Sequence, residues 1–173
     1  MSVRGRSLPR DAVWWKNLPM QNDHGADEHT HVRVVAGIAS NGKPVYEVLP
    51  SRRLEHDDYE ICGSPGLAYG FAAGDHVRVM DDGTFEVLAR GGNLCLRLYP
   101  TVRPSDSSVA ALRSAVEHFD GLVEMPADRR FIVITVPVAA GLHAVGKAAD
   151  GWAVEHGCPW EYGNVYRDGR PRT

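Results

Sequence analysis

The chain has 173 residues, a formal net charge of −3, and apolar and charged fractions of 43% and 24%, which are ordinary values for a globular protein. A slightly acidic surface disfavours nucleic-acid binding, because recognition of phosphate needs a basic patch or stripe. The three cysteines, Cys62, Cys95 and Cys158, are odd in number and form no CxxC pair, which argues against a disulfide framework and against a structural zinc site.

Residues 1–30 are predicted to form a loosely held N-terminal arm. They show no sustained hydrophobic period and contain Pro9 and Pro19. Trp14 and Trp15 are the exception, since two adjacent indole rings are costly to leave in water, and we expect them to dock on the body of the protein or on a partner. The basic start of the chain is followed by no apolar run, so it does not resemble a signal peptide, and a cytoplasmic location is expected.

Residues 31–93 are predicted to form a β-rich subdomain. Short apolar or alternating runs, ended by turn-forming residues, predict five strands, at 32–38, 45–49, 59–62, 76–80 and 84–88. Asp81-Asp82-Gly83 joins the last two strands, where glycine supplies the positive φ of a tight hairpin turn. Five short strands without a helix predict a small, bent antiparallel sheet or a partial barrel.

Residues 94–166 alternate strands with helices. Apolar residues recur at spacings of three and four over 109–119, which predicts one helix, and a second helix ends at Gly157. With a last strand over 160–166 the order is βαββαβ, which predicts a ferredoxin-like antiparallel sheet with both helices on one face. The other face needs a cover, which the β-rich subdomain is expected to provide. This α+β chain then ends in a polar tail, residues 167–173.

A histidine-rich segment could supply metal ligands. His24, His29 and His31 are interspersed with carboxylates, and both residue types bind transition metals. His29 and His31 share one side only in an extended chain, and a catalytic metal needs ligands held by a rigid surround. The interpretation we favour is a solvated linker that leads into the first strand, with a metal-dependent enzyme as the alternative.

An acidic run lies between two predicted strands. Asp57, Asp58 and Glu60 stand close together near His56, where paired carboxylates could carry out acid–base chemistry. A polar connecting loop is the simpler interpretation. As a surface, concentrated negative charge would steer a basic partner, and these three carboxylates are therefore candidate partner-binding residues.

Aromatic side chains cluster near the C-terminus. Trp160, Tyr162 and Tyr166 share one face of the last predicted strand. Packing of these rings in the core, against the preceding helix, is one interpretation. The alternative is an exposed aromatic surface of the kind that anchors protein interfaces, which makes Trp160 and Tyr162 candidate partner-binding residues.

The cysteines offer little chemistry. Cys62 and Cys95 lie in apolar strands and are expected to be small core residues. Cys158 follows a helix C-terminus beside His156, and a Cys–His pair could form a nucleophile. The partial negative charge at a helix C-terminus disfavours a thiolate there, so we do not expect catalysis at Cys158.

Three stretches, 45–49, 74–77 and 85–93, together with Trp160-Glu161-Tyr162, resemble an uncharacterised bacterial family of domains of unknown function over about residues 32–166. The resemblance implies the two-part fold, and no active site can be carried over from it. In kind rather than in motif, the chain is also similar to the immunity proteins of contact-dependent growth inhibition systems. Those are small, cytosolic, non-enzymatic proteins found beside a toxin domain.

The resulting expectation is a binding protein without catalytic residues, metal or cofactor. Its most specific form is an immunity protein that occludes the active site of a cognate, basic toxin domain, with the loop carboxylates and the two aromatic residues as contacts. A small-molecule-binding or regulatory module is the alternative from a different class, because ferredoxin-like sheets often serve as ligand sensors.

Overall fold

The computed structural model describes residues 29–167 and 170–171 of the chain. The arm predicted over residues 1–30, including Trp14 and Trp15, lies outside the described residues except for its last two positions. His29 and Thr30 already belong to the first strand.

The first half of the described chain is an antiparallel sheet of five strands: β1 (His29–Ile38), β2 (Pro44–Glu55), β3 (Asp58–Ile61), β4 (His76–Val79) and β5 (Phe85–Ala89). The strands pair in chain order, as successive hairpins do. The backbone N–H of Val35 in β1 donates to the carbonyl of Gly83, beyond β4, over 2.7 Å. The sheet therefore bends enough to bring its first strand to the turn between β4 and β5. No strand pairing among the described residues closes the sheet into a barrel.

Gly83 shows why the turn between β4 and β5 needs glycine. Its φ is +84°, a conformation that residues with a Cβ rarely adopt. A Cβ at this position would also lie only 2.9 Å from a ring carbon of Tyr46 and 3.2 Å from the carbonyl oxygen of Arg33. The hairpin predicted at Asp81-Asp82-Gly83 is confirmed, and the same glycine lets the turn pack against β1 and β2.

The second half contains four strands and two helices: β6 (Asn93–Leu98), α1 (Asp106–Glu117), β7 (Leu122–Glu124), β8 (Ile132–Pro137), α2 (Leu142–His156) and β9 (Trp160–Tyr162). The sheet order β7-β8-β6-β9 is antiparallel throughout and corresponds to the predicted ferredoxin-like βαββαβ arrangement. A two-stranded ribbon follows, β10 (Tyr166–Arg167) with β11 (Arg170–Pro171). The last sheet strand therefore ends at Tyr162, earlier than predicted.

The helix boundaries have local causes. Ser105 is the N-cap of α1, and its hydroxyl accepts a hydrogen bond from the backbone N–H of Ser108 over 3.1 Å. Gly157 ends α2 in the left-handed conformation, as expected of a C-terminal glycine. Both helices pack on one face of the second sheet, where the largest apolar cluster lies.

The opposite face of the second sheet is also buried. Residues of β6 and β8 on that side, including Cys95 and Val133, pack with Ala72 and Phe131. Ala72 belongs to the connection between β3 and β4, residues 62–75, so the first half supplies the cover that the sequence predicts. Cys95 is buried as expected, but Cys62 is exposed, because it lies one residue beyond the end of β3.

Candidate partner-binding site

The acidic residues predicted to bind a partner lie on and beside the hairpin of β2 and β3, and two of them are already paired. Asp58 stands opposite Arg78 in the β3–β4 register, and the two side chains form a two-pronged ion pair with distances of 2.7 and 2.9 Å. Glu60 pairs with Arg52 of β2, its partner in the register, whose Nε and Nη2 both donate to Oε2 of Glu60.

These pairs remove most of the free negative charge that the sequence predicts at this loop. The hydrogen bond from Arg78 holds the pKa of Asp58 below its usual value, so the carboxylate stays ionised and bound. Asp57 is exposed, and its backbone carbonyl accepts a hydrogen bond from Val79. Asp58 and Glu60 therefore belong to a cross-strand ladder of opposite charges, whereas Asp57 forms no ion pair with a described residue.

The predicted histidine cluster is only partly described. His24 lies outside the described residues, while His29 and His31 are exposed on β1, which shows that this part of the presumed linker is strand. Among residues 29–167 and 170–171, no group of three His, Cys, Asp or Glu side chains is placed to hold a metal ion.

A surface cleft of about 240 Å³ lies between α2 and β9. Both predicted aromatic residues line it. The full set of lining residues comprises Leu142, His143, Gly146, Lys147, Asp150, Trp160 and Tyr162. The five helix residues follow one face of α2, with spacings that bring them to the same side. We refer to this feature as the α2–β9 cleft.

Gly146 brings the helix close to the two rings. A Cβ at this position would lie 3.1 Å from the hydroxyl oxygen of Tyr162 and 3.5 Å from a ring carbon of Trp160. Glycine in a helix interior costs about 1 kcal/mol relative to alanine. Here the missing Cβ lets the backbone of the helix lie close to the two aromatic rings.

The two aromatic residues of the cleft have different surroundings. Tyr162 is only 3% exposed, and its hydroxyl donates to the carbonyl of Leu142 over 2.7 Å, so most of its ring belongs to the core. Trp160 is half-buried; its indole N–H donates to Asp150 over 2.8 Å, and its ring meets Tyr162 edge to face at 5.2 Å. Core packing is thus the observed role of Tyr162, and Trp160 is the more accessible ring, held in one orientation.

The charged residues of the cleft are weakly engaged. Asp150 accepts the single hydrogen bond from Trp160, and within the described part of the chain it forms no ion pair. The same holds for Lys147, one helical turn earlier. Both side chains are exposed.

A second polar cluster lies between the two halves of the molecule, and we call it the seam. Its centre is Arg97, the charged residue of β6, which is 0% exposed. Its Nη1 donates to the carbonyl of Ala68 over 3.0 Å, and its guanidinium lies 3.6 Å from the ring centre of Tyr69. Glu161 lies 3.2 Å from Nη2 and accepts hydrogen bonds from the hydroxyls of Tyr69 and Tyr99 over 2.6 and 2.7 Å.

This cluster joins the segment between β3 and β4 to the second sheet. Nε and Nη2 of Arg97 make no hydrogen bond within the described residues, so the contact of Nη2 with Glu161 is an ion pair without hydrogen-bond geometry. Burial raises the pKa of both Tyr69 and Tyr99, which keeps the two hydroxyls protonated as donors to Glu161. The arrangement pairs a fully buried Arg97 with Glu161 and with Tyr69, which is 37% exposed, and it has a structural role.

Two more carboxylates are buried near the seam. Glu47 accepts hydrogen bonds from the backbone N–H groups of Gly66, Leu67 and Ala68 at 2.7 to 3.0 Å, yet burial still raises its pKa. Glu124 is 8% exposed, makes no hydrogen bond or ion pair with a described residue, and has its pKa raised by burial alone. Neither residue was singled out from the sequence, where an isolated Glu in a strand resembles a solvent-facing position.

The thiols are unsuited to nucleophilic chemistry. Burial raises the pKa of Cys158 to about 11 and that of Cys95 to about 12, so both are protonated at neutral pH. The ring of His156 stacks on Trp152 at 4.0 Å and hydrogen-bonds the carbonyl of that residue.

Together these features define an α+β protein with a ferredoxin-like second half, a polar seam built around the buried Arg97, and an aromatic cleft at the surface. The chain belongs to the family described as a domain of unknown function, DUF4265, which matches residues 47–157. The resemblance to an uncharacterised family is thereby confirmed.

One solved structure is similar over most of the chain, the crystal structure of a hypothetical protein from Neisseria gonorrhoeae. The sequence identity is 12% and the TM-score is 0.63, with 85% of this chain and 100% of that chain covered. At this identity the likeness concerns the fold alone. No curated protein matches the chain. Among the described residues, no helix is both long enough and apolar enough to cross a membrane.

Proposed function

We propose that the protein acts by binding a partner protein rather than by catalysis, and that the partner is a bacterial toxin domain whose active site it covers. The observation that carries the proposal is the fixed orientation of Trp160 in the α2–β9 cleft, between Asp150 and Tyr162. Tryptophan is enriched among the few residues that contribute most of the binding energy at interfaces, and a ring already held in place loses little entropy on binding.

The size of the cleft favours a side chain of a partner over a cofactor. Pockets for drug-sized ligands have volumes of about 300–1,000 Å³, whereas the α2–β9 cleft has about 240 Å³. A cleft of this size suits one inserted side chain at the centre of a larger interface. Tight occlusion of a toxin would need a total buried area of at least ~1,200 Å².

An exposed apolar side chain extends the surface beside the cleft. Val154 is 84% exposed and lies one helical turn beyond Asp150, on the same side of α2 as Lys147. A single exposed valine is unremarkable in itself. Beyond Asp150 on the same helix, it adds apolar area to the surface that a partner would cover.

Coexpression in bacteria tests the proposal. A candidate toxin domain encoded beside the gene is produced with and without this protein, and growth is expected only when the protein is present. Val154→Lys, an exposed change that leaves the core intact and repels a basic partner, and Trp160→Ala are each expected to abolish protection. The matched control, Arg78→Ala in the β3–β4 ladder, should protect as the unchanged protein does. Equal growth with and without the protein would contradict the proposal.

A second candidate, a small-molecule-binding module, is favoured by the same cleft. A thermal-unfolding screen with amino acids and nucleotides separates the two, because a ligand at 100 times its Kd stabilises a protein by about 2.7 kcal/mol. Stabilisation that Trp160→Ala removes, without any protective effect against a toxin, would favour this candidate.

A further inference from the structure

Trp160 offers a π face whose electron density is tuned by a carboxylate. Its indole N–H donates to Oδ1 of Asp150 over 2.8 Å. A hydrogen bond to an anion makes an indole ring more electron-rich, and tryptophan is already the best aromatic partner for a cation. This pairing favours a positively charged group over the exposed face of the ring.

Asp150 supplies the matching negative charge. Only Oδ1 is used by Trp160, and the side chain forms no ion pair with a described residue. The second carboxylate oxygen can therefore accept a hydrogen bond from a guanidinium or ammonium group placed on the indole. Hydrogen bonds between ionised partners are shorter and about twice as strong as neutral ones.

The acidic loop supports the same conclusion by contrast. Asp58 and Glu60 already pair with Arg78 and Arg52. Asp150 and the exposed Asp57 form no ion pair among the described residues, and Asp150 also accepts a hydrogen bond from Trp160, whose ring can hold a basic group. The net charge of −3 for the whole chain attracts such a partner at longer range.

We infer that the α2–β9 cleft recognises a basic side chain of the partner, an arginine or lysine that stacks on Trp160 and pairs with Asp150. The inference rests on the proposed function and names the chemistry of its contact. Arginine fits best, because its planar guanidinium can stack and donate to a carboxylate at the same time. Lys147, three residues before Asp150 on the same helix face, competes for the carboxylate and weakens binding.

Nuclear magnetic resonance with isotopically labelled protein tests the chemistry without the partner. The signal of the Trp160 indole N–H is assigned as the one lost in Trp160→Phe. The protein is then titrated with N-acetyl-arginine amide, with its uncharged counterpart N-acetyl-citrulline amide, and with N-acetyl-glutamate amide. The arginine compound is expected to shift the Trp160 signal with a Kd in the millimolar range, which corresponds to roughly 4 kcal/mol.

Two exposed variants sharpen the result. Asp150→Asn keeps a hydrogen-bond acceptor for Trp160 but removes the charge, and it is expected to weaken binding of the arginine compound at least about fivefold. Lys147→Ala removes the competing cation and is expected to strengthen it by about twofold. A shift of equal size with citrulline, a stronger shift with glutamate, no shift at all, or unchanged binding by Asp150→Asn would each overturn the inference.

The two proposals fail separately. If protection against a toxin depends on Trp160 and Val154 while the arginine compound is not preferred, the proposed function stands and the basic contact is wrong. If the arginine compound binds but no toxin is neutralised, the cleft binds a cation and the proposed function is wrong.

Discussion

The seam and the α2–β9 cleft both combine aromatic rings with charged groups, but the central charged residue is buried in the seam and exposed in the cleft. In the seam, Arg97 is fully buried, stacked on Tyr69 and paired with Glu161, so its charge is used in contacts between the two halves of the molecule. In the cleft, Trp160 is half-buried and Asp150 is exposed with a single hydrogen bond. Similar residue types therefore hold the fold together in one place and remain available to a partner in the other.

The number of carboxylates in a segment therefore does not show how many of them are free to bind a partner. The acidic loop has the densest run of carboxylates, but the sheet register opposes Asp58 to Arg78 and Glu60 to Arg52. The cleft contains Asp150, an exposed carboxylate of α2 that forms no ion pair with a described residue. Variants that change stability in the seam, or binding in the cleft, test this comparison.

The largest effect on stability is expected from Arg97→Ala. Removal of one partner from a buried charge pair leaves the other uncompensated, which typically costs about 3–5 kcal/mol. The exposed pair provides the control, since Arg78→Ala breaks a solvent-screened ion pair and is expected to cost much less. Urea unfolding measures both. Equal losses for the two variants would show that the seam does not join the halves as described.

A smaller effect, with a distinctive pH dependence, is expected from Glu124→Gln. Burial raises the pKa of Glu124 in the folded protein, so its contribution to stability is complete below the unfolded pKa and is lost as the pH rises through the folded pKa. The neutral variant avoids this loss. Its stability should match the unchanged protein at pH 4 and exceed it at pH 7.

Asp58→Asn is the matched control of opposite sign. The pKa of Asp58 is lowered by Arg78, so its contribution is present above the unfolded pKa and is lost as the pH falls. The variant should be less stable than the unchanged protein at pH 7 and equal to it at low pH. The same sign for both variants in urea unfolding would contradict the assigned environments.

Much of this fold can be predicted from sequence, because the order of strands and helices depends on local periodicity. The βαββαβ order, the Gly83 turn and the end of α2 at Gly157 all have local signals. Arg97 has none, since an arginine in an alternating strand indicates a solvent-facing position. Its burial depends on Ala68, which lies 29 residues away in the chain and folds over it.

The candidate site was predictable only in part, for a similar reason. Period-two alternation places Trp160 and Tyr162 on one face of β9, but it does not say how α2 crosses that face. The close approach of α2 at Gly146 buries Tyr162 and leaves Trp160 at the cleft. The involvement of Asp150 depends on this crossing. In the sequence, Gly146 inside the second helix was the feature that could have indicated this close approach of the helix to the rings.

The smallest effects on stability are expected from two glycines of α2. Gly151→Ala meets no atom within 4 Å and should stabilise the protein by about 0.5–1 kcal/mol through helix propensity. Gly146→Ala has the same propensity gain, offset by the contact of its Cβ with the Tyr162 hydroxyl at 3.1 Å. It should therefore gain less than Gly151→Ala in thermal unfolding. Equal gains would show that α2 does not approach the rings closely.

The most direct test of the account is photo-crosslinking inside cells that also produce the candidate toxin domain. The photoreactive residue p-benzoylphenylalanine is placed at Val154 beside the cleft or at Asp57 in the acidic loop, both exposed positions. We predict a covalent adduct with the toxin domain from position 154, reduced by Asp150→Asn, and little or none from position 57. An adduct from position 57 alone, or from neither position, would contradict the assignment of the α2–β9 cleft as the binding surface.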